Sequence, residues 1–182
     1  MKNKSAVLGY PDSENLGDFI QSIAAAKLMM LEKPSRLNRD QLNNYYGPQV
    51  KLIMNGWFME QPENWPPSSR VTPLFISFHL NPKAERGMLT IKGISYFKKY
   101  QPIGCRDYYT QKTLEEHGIE TYFSGCLTLS LKRADFTNGN QNREGVLVVS
   151  PFERLLPQRD TIKLNKPKSL LLKGIQKIKQ PF

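Results

Sequence analysis

The sequence predicts an α/β fold built on a mainly parallel sheet, and three observations predict it. Short apolar runs alternate several times with segments whose apolar residues recur at helical spacing. Residues 74–78 (Leu-Phe-Ile-Ser-Phe) are apolar on both faces, as a strand covered from both sides requires. The chain also opens as strand, loop and helix, the first part of a βαβ unit.

Ala6, Val7 and Leu8 supply the first strand, and residues 9–17 form a polar, turn-rich loop. Leu16, Phe19, Ile20, Ile23, Ala24 and Leu28 then mark the apolar stripe of a helix. Either Asn15 or Asp12 caps that helix, Gly17 lets a ligand approach the backbone, and Asp18 sits in the first turn. A carboxylate there is favourable without any chemistry. The unpaired N–H groups of a helix start, with their partial positive charge, also suit a phosphate or carboxylate. The loop has neither the glycine spacing of a dinucleotide fingerprint nor the Lys-Ser/Thr of a P-loop, which excludes both.

Lys33-Pro34 ends the helix, and residues 35–38 make a short second strand. After a polar stretch over 39–49, residues 50–54 are a strand that breaks into Asn55-Gly56-Trp57-Phe58. Residues 60–70, with three prolines and Trp65, read as a long irregular loop of the functional or mobile kind. The buried strand 74–78 delivers His79, and residues 88–100 carry a helical stripe from Met88 to Tyr100. A short strand over 102–105 delivers Arg106 and Asp107, and a helix over 108–117 closes at Gly118. Residues 119–123 are the last strand, a turn follows at Ser124-Gly125-Cys126, and Leu127, Leu129 and Leu131 alternate after it. Residues 1–132 thus form one Rossmann-like domain and 133–144 a linker. Residues 145–182 read as the start of a second domain cut short, with a strand over 146–149 and a basic amphipathic helix around Leu170, Leu171, Ile175 and Ile178.

The net charge of +10 suggests a nucleic-acid binder until it is mapped. From Gly139 on there are nine bases against three acids, a net +6, leaving +4 for everything before. With no basic–aromatic motif, nucleic acid is not expected as a partner, and the basic tail suits peripheral contact with an anionic membrane face. No apolar run approaches the ~18–20 residues of a membrane span. The Met-Lys-Asn-Lys start lacks the apolar core of a signal peptide, so the expected location is the cytoplasm. Cys105 and Cys126 lack metal-ligand spacing and are expected to be buried, reduced thiols.

Four polar stations fall at the carboxyl ends of expected strands: Asn15 with Asp18, then Asn55, then Ser77 with His79, and last Arg106 with Asp107. A parallel sheet gathers them on one rim. Arg106 suits a bidentate grip on an anion, and His79 suits proton transfer near neutral pH. Structural alternatives are an Arg106–Asp107 salt bridge and a satisfied core histidine. His117, just before Gly118, reads as a helix-end cation.

Five blocks, in order over residues 5–131, resemble the polysaccharide pyruvyl transferase family. They are Asn15-Leu16-Gly17-Asp18-Phe19-Ile20-Gln21-Ser22-Ile23-Ala24-Ala25, Asn55-Gly56-Trp57-Phe58, Phe75-Ile76-Ser77-Phe78-His79, Gly104-Cys105-Arg106-Asp107 with Thr110, and Phe123-Ser124-Gly125-Cys126-Leu127-Thr128-Leu129. The resemblance implies the N-terminal half of a glycosyltransferase-B-like architecture. It implies transfer of pyruvate from phosphoenolpyruvate to a sugar hydroxyl, forming a ketal in surface (exo)polysaccharide biosynthesis. The partners implied are phosphoenolpyruvate and a nucleotide- or lipid-linked sugar or glycan acceptor, with no metal and no further cofactor. On that reading Asp18 or His79 does acid–base work, and Arg106 with the N–H groups after Asn15 holds phosphate. Gly17, Asn55, Ser77, Asp107 and Ser124 complete the expected substrate-binding set. The chain departs from the family pattern in its short second domain, so a catalytically inactive sugar- or nucleotide-binding remnant is the alternative.

Overall fold

The computed structural model describes residues 4–137. The strand expected over 146–149, the amphipathic helix and the rest of the basic tail lie outside the described residues, as do 138–144 of the expected linker. Six strands, β1 (Lys4–Gly9), β2 (Ser35–Asn38), β3 (Val50–Phe58), β4 (Val71–Leu80), β5 (Ile103–Cys105) and β6 (Thr121–Phe123), form one sheet in the order β2-β1-β3-β4-β5-β6. Every pairing is parallel. The order steps one way from β1 to β2 and the other way from β3 to β6. Right-handed crossovers therefore put the first helix on one face and the later helices on the other.

Two cores match that division. On one face α1 (Leu16–Leu28) brings Ala24 and Ala25 against Val7, Ile53 and Leu127. On the other, α3 (Ile91–Lys99) and α4 (Tyr108–Glu116) bring Phe97 and Leu114 against Leu8, Met54, Phe75 and Phe78. The long 60–70 loop is anchored there: Trp65 stacks on Phe97 with ring centroids 5.0 Å apart and meets Phe58 and Phe78 edge-on or tilted.

Three local expectations change. The stripe over 88–100 is two helices, α2 (Glu85–Met88) and α3, because the Thr90 hydroxyl accepts the N–H of Gly93 and starts a new helix. The Leu127–Leu131 alternation is a 3-10 turn, Leu127–Ser130, which buries Leu127 and leaves Leu129 in water. A second such turn, Arg133–Phe136, opens the stretch expected to be linker, where the Lys27 ammonium lies 3.5 Å from Asp135 and over the Phe136 ring.

The largest difference lies in α1. Most of its apolar stripe faces solvent, with Leu16 61% exposed and Phe19, Ile23 and Leu28 also exposed, and of the stripe Ala24 is buried. The face turned to the sheet is small and polar: Asp18, Gln21, Ser22, Ala24 and Ala25. The small residues let the helix approach closely, and the sheet edge below it offers hydrogen-bonding groups. The Ser22 hydroxyl donates to the Leu8 carbonyl at 2.6 Å.

Candidate functional site

The loop after β1 ties itself down. Asn15 is the N-cap of α1, its Oδ1 accepting from the Gly17 N–H at 3.0 Å, and Asp12 does not cap. A Cβ on Gly17 would lie 3.1 Å from that oxygen, so the glycine makes room for the cap. The Asp18 N–H donates to the Asn15 carbonyl, and the Ser13 hydroxyl donates to Asp18 Oδ2 at 2.6 Å. The N–H groups of Gly17 and Asp18 are thus both engaged within the cap.

The next station is irregular backbone. Between Met54–Phe75 and Gly56–Phe78 the β3–β4 register slips, so β4 carries the extra residue of a bulge. Ser77 sits there at φ +58°, a left-handed conformation costing about 1–3 kcal/mol for a non-glycine residue. Its freed N–H donates to the Ser124 hydroxyl at 2.9 Å, and that hydroxyl donates to the Cys105 carbonyl at 3.0 Å. Opposite the bulge, Asn55 is wholly buried and Gly56 takes φ +80°. A Cβ on Gly56 would come within 3.1 Å of Gln21 Cγ, so only glycine lets α1 sit this close.

Asn55 Nδ2 donates to the Gln21 carbonyl at 3.0 Å and to Gln21 Oε1 at 3.2 Å, which turns Gln21 Nε2 toward Cys126 Sγ at 3.2 Å. Cys126 also meets Thr128 Oγ1 at 3.0 Å. Partial burial opposes ionisation of Cys126, but hydrogen bonds from Thr128 and Gln21 and the charge of Arg106 outweigh it and bring the thiol below its ordinary value. Cys105 behaves oppositely: burial first, then Asp107 and Glu115, push it up to about 12. The sequence treats both as buried thiols; Cys105 is buried, Cys126 only partly so, and their partners differ as well.

At the ends of β4 and β5, His79 Nδ1 and Asp107 Oδ2 are 2.5 Å apart. A carboxylate only accepts, so Nδ1 carries the hydrogen and Nε2 is left to exchange a proton. Asp107 is also the N-cap of α4, accepting from the Thr110 N–H at 2.9 Å and from its hydroxyl at 3.2 Å. Burial works against the Asp107 carboxylate, yet the bonds from His79 and Thr110 hold its carboxyl below the usual range. Asp107 therefore pairs with His79 and not with Arg106, and among the described residues Arg106 has no carboxylate partner.

The stations meet along one edge. The Arg106 charge reaches both Cys126 and Tyr10, Asp18 also reaches Tyr10, and Gln21 joins α1 to Asn55 and Cys126. His79 and Asp107 adjoin Arg106 at the same strand ends. The Tyr10 hydroxyl and Asn55 Oδ1 are buried there without a hydrogen-bond partner among the described residues. Tyr10, Gln21, Cys126 and the buried Arg39 were not expected as site residues. His117 stands apart, its Nδ1 donating to the Thr113 carbonyl at the end of α4. Among the described residues no three of His, Cys, Asp and Glu converge as a metal-ligating group, and no helix is long and apolar enough to cross a membrane.

Two outcomes follow for solution chemistry. A carboxyl held below its ordinary pKa adds stability at pH above about 4, which is lost as pH falls through the folded-state value. Asp107→Asn keeps a competent cap but binds no proton, so its stability falls less steeply than wild type on acidification in urea unfolding. Parallel acid limbs would contradict the pairing. At neutral pH, iodoacetamide labels Cys126 well before Cys105 by peptide mass spectrometry, and equal labelling would contradict the two environments. Comparison of the chain with protein-family models, with curated proteins and with solved structures gives no match in any of the three.

Proposed function

We propose that this chain binds phosphoenolpyruvate and moves its pyruvate to a sugar hydroxyl, as the resemblance to polysaccharide pyruvyl transferases implies. The observation that supports the reading is an arginine without a carboxylate partner among the described residues, beside an imidazole oriented by a carboxylate. Phosphoenolpyruvate carries a phosphate and a carboxylate, and Arg106 is a fitting anchor for either.

The chemistry needs one proton delivered and one anion released. His79 Nε2–H protonates the methylene carbon, and Asp107 stabilises the imidazolium that supplies the proton. The electron-poor C2 is attacked by a sugar hydroxyl, the C2–O bond to phosphate breaks, and the hydroxyl's proton leaves on the departing phosphate. A second hydroxyl closes the ketal, and its proton restores the imidazolium. One phosphoenolpyruvate and one diol give one ketal and one phosphate. Asp18 is buried and already accepts from Ser13, so the acid–base role goes to His79. The two-domain arrangement and a cytoplasmic location are parts of the same proposal.

Phosphate release from phosphoenolpyruvate, measured with a glycan acceptor, tests the reading. Arg106→Ala weakens phosphoenolpyruvate binding roughly 10- to 100-fold, the worth of a charged hydrogen bond of about 1.5–3 kcal/mol. His79→Gln lowers turnover about 10²- to 10⁴-fold with little change in donor binding. Unchanged donor binding in Arg106→Ala, or binding without phosphate release in the intact chain, would count against transfer.

A further inference from the structure

A cavity of about 230 Å³ opens at the carboxyl ends of β1 and β2, formed by residues 10–15, 38–40, 60 and 61. It lies beside the loop that caps α1 and contains none of His79, Arg106 or Asp107.

Its floor is a charge removed from water. Arg39 is 3% exposed, its guanidinium 5.0 Å from the Tyr10 ring centroid and 5.1 Å from that of Trp57. Nε and Nη2 donate to Asp40 Oδ2 at 3.0 and 2.7 Å, and Nη1 donates to the Trp57 carbonyl at 3.2 Å. Asp40 Oδ1 accepts the N–H groups of Glu60 and Gln61 at 2.7 and 3.1 Å. Buried ion pairs add little net stability, but this one fixes three chain segments around the cavity. Because Asp40 engages the Arg39 guanidinium, that cation is not free to bind an anion.

The walls differ from the floor. Asp12, Glu14 and Glu60 bring carboxylates, and Asn15, Asn38 and Gln61 bring amides. The side-chain oxygens of Asn15 and Asn38 accept backbone N–H groups, so each amide presents its NH₂ outward from that bond. Tyr10 also lines the cavity, but its buried hydroxyl lies beside Gly56 and Gln21 and adds no donor to it. With Asp40, four carboxylates face one guanidinium, so the cavity repels anions while offering both acceptors and donors. A ligand that matches has several hydroxyls and no negative charge. The volume is below the roughly 300–1,000 Å³ of drug-sized sites, which suits one sugar ring. In other sheets of this type, the end of the second strand is where a ribose diol is held.

We propose that the cavity between β1 and β2 binds one neutral glycosyl unit of the acceptor and turns away acidic sugars. This rests on the pyruvyl-transfer reading and narrows its acceptor class. The phosphate-bearing donor and the neutral sugar then occupy separate sites along one sheet edge.

The test uses the full chain, amide-labelled for NMR, with methyl β-glucoside, methyl β-galactoside, sodium glucuronate and phosphoenolpyruvate as separate probes. At least one neutral glycoside shifts the amides of residues 12–15 and 61, and glucuronate binds about fivefold or more weakly. The double variant D12K/E14K, altered at two exposed positions, narrows that gap. The proposal is overturned if no glycoside shifts those amides at tens of millimolar, if glucuronate binds as well, or if the double variant leaves the gap unchanged. Phosphoenolpyruvate is read separately at Arg106. Its failure there, with glycoside binding intact, overturns transfer and supports the cavity; the reverse pattern overturns the cavity alone.

Discussion

Asn55, wholly out of water, gives its amide hydrogens to Gln21, and this contact closes α1 onto β3 where the strand order reverses. A buried amide left unpaired would cost about 1–3 kcal/mol, so the two elements are held at one separation. Much of the neighbouring geometry depends on it. Gly56 must be glycine because Gln21 lies over it, and Gln21 Nε2 in turn donates to Cys126 Sγ. The bulge in β4 lies across from Asn55, and Ser124 satisfies the N–H that the bulge frees at Ser77. The strained backbone and the buried polar side chains are thus one construction at the strand ends, where α/β sheets place their ligands.

Electrostatics divides that edge. Toward β5 the combination is basic: Arg106, with no carboxylate partner among the described residues, and His79 oriented by Asp107. Toward β2 the groups are acidic and amide-rich, over a guanidinium already neutralised by Asp40. Asp107 ties chemistry to stability, because the carboxylate that orients His79 also caps α4. A change there alters the helix start and the imidazole together. In the proposed reaction this polarity sorts an anionic donor from a neutral acceptor.

The parallel sheet was legible because its strands are apolar runs set between helical stripes, and β4 shows this best. The placing of Asn55, Ser77, His79 and Arg106 on neighbouring parallel strands followed from topology, but β3 and β4 run on to Phe58 and Leu80, so of the four only Arg106 follows the end of its strand. The facing of α1 was not legible. Leu16, Phe19 and Ile23 carry the stronger apolar signal, yet closeness to the sheet favours the smaller Ser22, Ala24 and Ala25, and Asn55 draws Gln21 inward. Periodicity reports hydrophobicity and says nothing of which face can approach closely. Arg39 was lost in a polar stretch because burial of an arginine depends on two aromatic rings distant in sequence. Cys126 differs from Cys105 in its lesser burial and in its partners Gln21, Thr128 and Arg106, none of which spacing reveals.

A crystal structure determined with phosphoenolpyruvate at saturating concentration bears on all of this at once. The account requires a donor phosphate or carboxylate oxygen about 2.7–3.2 Å from the Arg106 guanidinium, with the methylene carbon against His79 Nε2. Phosphoenolpyruvate seated elsewhere, with Arg106 and His79 untouched, would contradict it.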